Sequence, residues 1–221
     1  MRAPGYGLTS SHPRVEFLFD GQSLQGIEGE SLSAALLANG IRLVGRSFKY
    51  HRPRGVVGIG SEEPNALVTI ERPTGIEPNT RATMVRVYAG LIVRSQNHWP
   101  SLKNDFGALA GCFSPLLPAG FYYKTFMTPS RAWHSYERAI RRMAGLGKVP
   151  EESDRDFSTK IHEHCDLFVA GGGAAGLASA LAAGRTGARV VLADENPWFG
   201  VGLLDENHTI DGIQAYEWVN Q

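Results

Sequence analysis

The sequence predicts two successive architectures, an α+β domain with one helix on a mixed sheet and then the opening of an α/β domain. Two observations carry this. The order strand, tight turn, strand, helix, further strands fills the first hundred residues, and an apolar run enters a glycine-rich turn near residue 170, followed by an Ala-rich helical segment and a second apolar run. At 221 residues, with 43% hydrophobic and 20% charged residues, the chain is long enough to bury a core.

The first strand is read from Val15 to Phe19. Asp20-Gly21 is a strong tight-turn pair, and Ser23 to Ile27 alternates as a returning strand. Leu32, Ala35, Leu36 and Asn39 then fall at helical spacing, with Ser31 as N-cap and Gly40 as the left-handed residue after the helix. "IRLVG", "NALVTIE" and "TMVRVYAGLIVRS" supply β-rich stretches, the last with a turn at Ala89-Gly90. This order is that of a small β-grasp domain, assigned to residues 1–96. Residues 46–64 show no clear period.

Residues 97–164 read as an irregular connector and linker, rich in aromatics, Gly and Pro, with its best helix over Tyr136 to Ala144. "GKVPEESDRDFSTKIHEHCD" is polar and apolar-poor, which marks the approach to a new domain. His162 and His164 flank Glu163, but no further ligand stands at metal-site spacing, so no metal site is expected.

From residue 165 to 221 the pattern is that of a Rossmann-type dinucleotide-binding domain, limited to its first βαβ part. Leu167 to Ala170 is a central strand, and Gly171, Gly173 and Gly176 satisfy GxGxxG. The first glycine permits the turn, the second admits a pyrophosphate to the backbone, and the third lets helix and strand pack closely. The N-terminal amides of the following helix would face the phosphates. Arg189 to Ala193 is the second strand, closed by Asp194, 18 residues after Gly176, where an acid accepts from ribose hydroxyls. An acid rather than Arg there favours NAD or FAD over a 2′-phosphorylated cofactor. Glu195 shares that role or is a solvated loop acid.

The 22 basic and 22 acidic residues balance, so neither nucleic acid nor a membrane surface is expected as partner. No segment reaches the roughly 18–20 apolar residues of a membrane span, and "MRAPGYGLTSSHPRVEF" lacks the apolar run of a secretory leader. Two isolated cysteines, Cys112 and Cys165, fit a cytoplasmic protein. One stretch departs from the charge balance: "RSFKYHRPRG" carries Arg46, Lys49, Arg52 and Arg54, with no acid between Ser31 and Ser61. It reads as a salt-bridging surface or interdomain loop, with a bound phosphate or a partner subunit as the alternative. The helix carrying Arg138, Arg141 and Arg142 reads as a solvated face.

"GESLSAALLANGIRLVGRSFKYHRPRGVVGIGSEEPNALV", "LPAGFYYKTFM" and "HCDLFVAGGGAAGLASALAAGRTGARVVLADENP" together resemble the amino-terminal portion of the alpha subunit of heterotetrameric sarcosine oxidase, in order and over nearly the whole chain. The resemblance implies a flavoenzyme that oxidatively demethylates sarcosine to glycine with hydrogen peroxide, passing the one-carbon unit to tetrahydrofolate. It implies beta, gamma and delta subunits as partners, NAD in this portion, and FAD and FMN in the full complex. It also places cofactor contacts on Gly171, Gly173, Ala174, Ala175, Gly176, Asp194 and Glu195, with Asn196 and Gly202 added. The β-grasp reading further expects no iron-sulfur cluster, since plant-type ferredoxins take cluster cysteines from the loop after the helix and residues 46–61 contain none. Residues 200–202 read "GVG" where relatives carry a Gly-Gly pair, which departs from the pattern. No residue is assigned as catalytic, and this portion alone is expected to be inactive. The alternatives are an alpha-type subunit of a related amine or opine dehydrogenase or hydrogen cyanide synthase, and a truncated protein that only docks on partner subunits.

Overall fold

The computed structural model describes residues 11–116, 130–144, 155, 158–196, 198–203 and 209–220. The chain divides into two units, one of Met1–Gly58 and Glu63–Arg155, the other of Ile59–Glu62 and Asp156–Gln221.

In the first unit, β1 (Arg14–Phe19) and β2 (Gln22–Ile27) form an antiparallel hairpin. Its two turn residues, Asp20 at φ 49° and Gly21 at φ 79°, are both left-handed, the twist-matched geometry that favours Asp-Gly. Helix α1 (Leu32–Ala38) starts where Ser31 Oγ accepts from the Ala34 amide at 3.3 Å. It ends at Gly40, φ 77°, where the Ile41 amide reaches back to the Leu36 carbonyl at 2.9 Å. Asn39 Nδ2 donates to Gln25 O and Ala35 O, each at 2.7 Å, tying the end of the helix to β2.

A two-residue ribbon of β3 (Gly45–Arg46) and β4 (Pro53–Arg54) follows. Then come β5 (Leu67–Arg72), β6 (Gly75–Arg81) and β7 (Ile92–Ser95). The five-stranded sheet has the order β2-β1-β7-β5-β6, with β7 parallel to β1 and antiparallel to β5. This is a mixed sheet with a single helix between its first hairpin and its later strands. Leu32, Ala35 and Leu36 of α1 are fully buried with Phe17, Val68, Ile70, Leu91 and Val93. Each such side chain contributes about 1.5–3 kcal/mol by leaving water, so one helical stripe on one sheet face supplies the core.

The β-rich reading of residues 83–95 shortens to β7. Met84 to Tyr88 form no ladder beyond a single bridge from Arg86 to Ser31, although Val85 and Val87 are buried. Strand β6, carrying Pro78 and Gly75, was not expected; it is the sheet edge, where a proline removes no ladder bond. The connector helix begins earlier than expected, at Trp133, and runs to Ala144, with Arg138 exposed; the side chains of Arg141 and Arg142 lie outside the described residues. Much of the polar linker, residues 145–154, 156 and 157, also lies outside them.

In the second unit, β8 (Leu167–Ala170), helix Ala174–Arg185 and β9 (Val190–Ala193) form a strand-helix-strand unit with parallel strands, in register Leu167 to Val190 through Ala170 to Ala193. A small hairpin, β10 (Thr209–Ile210) and β11 (Ile213–Gln214), leads into helix Ala215–Val219. Among the described residues, no helix is long and apolar enough to cross a membrane.

Candidate dinucleotide site

Strand β8 ends on the glycine turn, and the turn is built by backbone alone. Gly171 sits at φ 105°, a conformation that side chains resist, and its amide donates to the Ala193 carbonyl at 2.7 Å, closing the tips of β8 and β9 together. Gly173 is the helix N-cap, extended at φ −72° and ψ −177°, with no side chain to cap the helix. Its carbonyl accepts the first helical bond, from Leu177 at 2.9 Å. The helix therefore presents first-turn amides that no side chain satisfies, at the positive end of a 12-residue dipole.

The three glycines differ in what surrounds them. A Cβ on Gly176 would collide with the Gly171 carbonyl, so that glycine is required for packing of helix against turn. A Cβ on Gly173 would meet nothing within 4 Å. Gly173 thus keeps open a space that the protein itself does not fill.

Asp194 faces the turn from the end of β9. Its Oδ2 accepts from the Gly172 amide, and its Oδ1 accepts from the Asn196 amide at 2.6 Å and from Asn196 Nδ2 at 2.8 Å. Burial would raise this carboxyl, but the Gly172 and Asn196 donors outweigh it and hold it below the usual carboxylate range. An ionised carboxylate has about four acceptor positions, so three donors leave one for a ligand hydroxyl. Glu195 is exposed beside it.

These parts enclose a cleft of about 780 Å³. Of the predicted residues, Gly171, Gly173, Asp194, Glu195, Asn196 and Gly202 line it, whereas Ala174, Ala175 and Gly176 stand in the first turn of the helix behind it. Sequence reasoning did not find Ile59, Ser61, Glu62, Trp198 and Gly200, which also line it. The first three are distant in sequence and carried no periodic signal. Gly200 resolves the departure at "GVG": at φ 67°, its amide donates to the Gly172 carbonyl at 2.7 Å, so the loop is fastened to the glycine turn without a Gly-Gly pair. The lining holds Glu62, Asp194 and Glu195 and no Lys or Arg among the described residues. Such a cleft disfavours an extra phosphate on the ribose and leaves the helix amides as its anion-binding element.

Residues 166–204 match the family model of FAD dependent oxidoreductases, and residues 12–98 match that of a 2Fe-2S iron-sulfur cluster binding domain. The sarcosine oxidase subunit alpha of Rhizobium meliloti (strain 1021) is 56% identical over 218 residues, 98% of this chain and 22% of the relative. This chain is homologous to sarcosine oxidase alpha subunits. The subunit alpha of Corynebacterium sp. (strain U-96) is 32% identical over 205 residues, 91% of this chain and 16% of the relative. The chain thus spans about a fifth of the length of these sarcosine oxidase alpha subunits. Among solved structures, the L-proline dehydrogenase from P. horikoshii shares the fold with a TM-score of 0.52 at 20% identity, covering 95% of this chain and 30% of that one.

Two expectations about cofactors are corrected. The strand-turn-helix that was expected to hold NAD matches an FAD family, and nothing in the comparisons points to NAD. The glycine turn is common to both cofactors, which is why the motif alone did not separate them. The expectation of no iron-sulfur cluster is likewise corrected, because residues 12–98 match a 2Fe-2S iron-sulfur cluster binding domain family. The donor set is a separate matter. Such clusters are held by cysteine thiolates, and the only cysteines, Cys112 and Cys165, lie outside the matched residues. Among the described residues no three His, Cys, Asp or Glu side chains converge to hold a metal. The matched residues 12–98 thus offer no cysteine thiolate as a cluster ligand.

Proposed function

We propose that this chain is a portion of the alpha subunit of an amine-oxidising flavoenzyme, and that its second unit binds the adenosine diphosphate half of FAD. The observation that carries the reading is the pairing of an uncapped helix N-terminus, kept open by Gly173, with the Asp194 carboxylate across the same cleft. The first element suits a pyrophosphate and the second a ribose hydroxyl. On this reading residues 1–96 are a ferredoxin-like β-grasp domain, 97–164 a connector, and 165–221 the first βαβ part of a Rossmann-type domain. Gly171, Gly173 and the amides of Ala174, Ala175 and Gly176 would hold the phosphates. Asp194 would hold the ribose, with Glu195, Asn196 and Gly202 at the rim.

FAD, when bound, supplies the two-electron acceptor for oxidation of a C–N bond. The residues of this chain named above would bind and orient it. The similarity to proteins named sarcosine oxidase subunit alpha supports sarcosine as the amine; the reading extends this to glycine and hydrogen peroxide as products, tetrahydrofolate as one-carbon acceptor, and a heterotetramer with beta, gamma and delta subunits. The proline dehydrogenase likeness bears on the fold alone. The reading is tested by titrating the full chain with FAD, ADP and riboflavin in a calorimeter. FAD and ADP should bind and riboflavin should not; riboflavin binding as tightly as FAD would overturn it.

A further inference from the structure

The basic stretch flagged in the sequence forms a second pocket, in the first unit and independent of the dinucleotide reading. The loop is closed tightly on itself. The Ser47 amide donates to the Arg52 carbonyl, the His51 amide to the Ser47 carbonyl and the Arg52 amide to Ser47 Oγ, each at 2.9 Å, with His51 left-handed at φ 50°. His51 Nδ1 lies 2.7 Å from Asp105 Oδ2, and the Asp105 side chain is fully buried. Arg46 underpins the loop by donating to the carbonyls of Leu102, Lys103 and His51 at 2.7–3.2 Å. Arg46 is thus occupied with carbonyls, and Asp105 with His51 and the amides of Trp99 and Gly107.

The Arg52 side chain is exposed and has no carboxylate partner among the described residues. Lys49 Nζ and the Arg52 guanidinium lie 4.9 and 5.0 Å from the centre of the same Tyr50 ring. Arg54 joins them on β4, exposed and with no carboxylate partner among the described residues. The pocket encloses about 320 Å³ and no acid lines it. Arg52 and Arg54 thus place two cations beside an acid-free concavity, where a doubly charged anion is attracted by both. The aromatic rings of Tyr50 and exposed Phe48 add an apolar wall.

We propose that this pocket binds a phosphate monoester carrying a planar ring, with Arg52 and Arg54 taking the phosphate. Guanidinium pairs grip phosphate oxygens in parallel, and two such contacts suit a dianion of this size. The probe is phenyl phosphate, titrated into the isotopically labelled full chain carrying Gly173→Asp, which removes the other phosphate site, and followed by backbone amide NMR shifts. Saturable shifts at Gly45, Ser47, Arg52 and Asn65, with a Kd below about 1 mM, are expected. Phenol should give none. Arg54→Glu should weaken binding about tenfold or more, Arg52→Gln less, and Arg14→Glu, on the far strand β1, not at all. Loss of saturation, an unchanged Kd in Arg54→Glu, or equal weakening by Arg14→Glu would overturn the site. Tighter binding of a poly-glutamate peptide than of phenyl phosphate would overturn it too, in favour of a protein partner.

Discussion

The carboxylate of Asp194, at the end of β9, accepts a hydrogen bond from the backbone amide of Gly172, in the turn after β8. The acid proposed to hold a ribose therefore also holds the glycine turn in place. Asp194→Asn tests this dual role. An amide keeps one acceptor oxygen but turns an NH₂ toward either Gly172 or Asn196, leaving a donor facing a donor. The loss of one charge-assisted bond predicts about 1–3 kcal/mol less stability in urea denaturation, together with weaker FAD binding. Loss of FAD affinity with unchanged stability would assign Asp194 to the ligand alone.

Gly173 and Gly176 belong to one motif yet predict opposite experiments. Gly173→Asp adds a side chain where no protein atom lies within 4 Å and in a backbone conformation open to any residue, so the urea midpoint should hold. Its negative charge stands where the pyrophosphate would come, so FAD binding should be lost. Gly176→Ala presses a methyl into the Gly171 carbonyl, so the strand-helix-strand unit itself should be destabilised, by about 1–3 kcal/mol, as overpacking at a fixed backbone contact costs. Circular dichroism of both variants with and without FAD separates the two.

Asp105→Asn should loosen the basic loop. Burial raises this carboxyl, but the Trp99 amide, His51 and the Gly107 amide together hold it below the usual range, so it is ionised when it receives them. With a neutral amide the contact to His51 loses its charge, and fast amide exchange at Ser47, His51 and Arg52 is the expected signature.

The hairpin, α1 and the glycine turn were legible because each rests on local chemistry: Asp20-Gly21 for a left-handed turn, Ser31 and Gly40 for helix ends, Gly171 for a turn that a Cβ would strain. β6 was not legible, because Pro78 and Gly75 argue against a strand until it is known to be an edge. Within the cleft, Gly200 was visible only as a deviation. Ile59, Ser61 and Glu62 were invisible, since their place depends on contacts far along the chain. The choice between NAD and FAD was beyond a motif that both share.

Glu63 was missed altogether, because a lone acid in an aperiodic loop carries no pattern, yet it is 1% exposed. Its Oε2 accepts from the Val57 and Gly58 amides, each at 2.7 Å, and its Oε1 from the Asn65 and Ala66 amides at 2.7 and 3.0 Å. The chain leaves the first unit after Gly58 and re-enters it at Glu63, so one carboxylate fixes both points. Burial raises its pKa, but the four amides overcome that and hold it below the ordinary 4.5. The unfolded chain therefore takes up the proton first. The stability Glu63 contributes is complete above about 4.5 and is lost as pH falls through the lower folded value. In Glu63→Gln the NH₂ confronts two backbone amides, which predicts a loss of about 2–4 kcal/mol at pH 7. The same variant should show a shallower fall in urea midpoint between pH 5 and about 3, since its amide has no proton to gain. Equal slopes in variant and parent would place the acid sensitivity on other carboxylates.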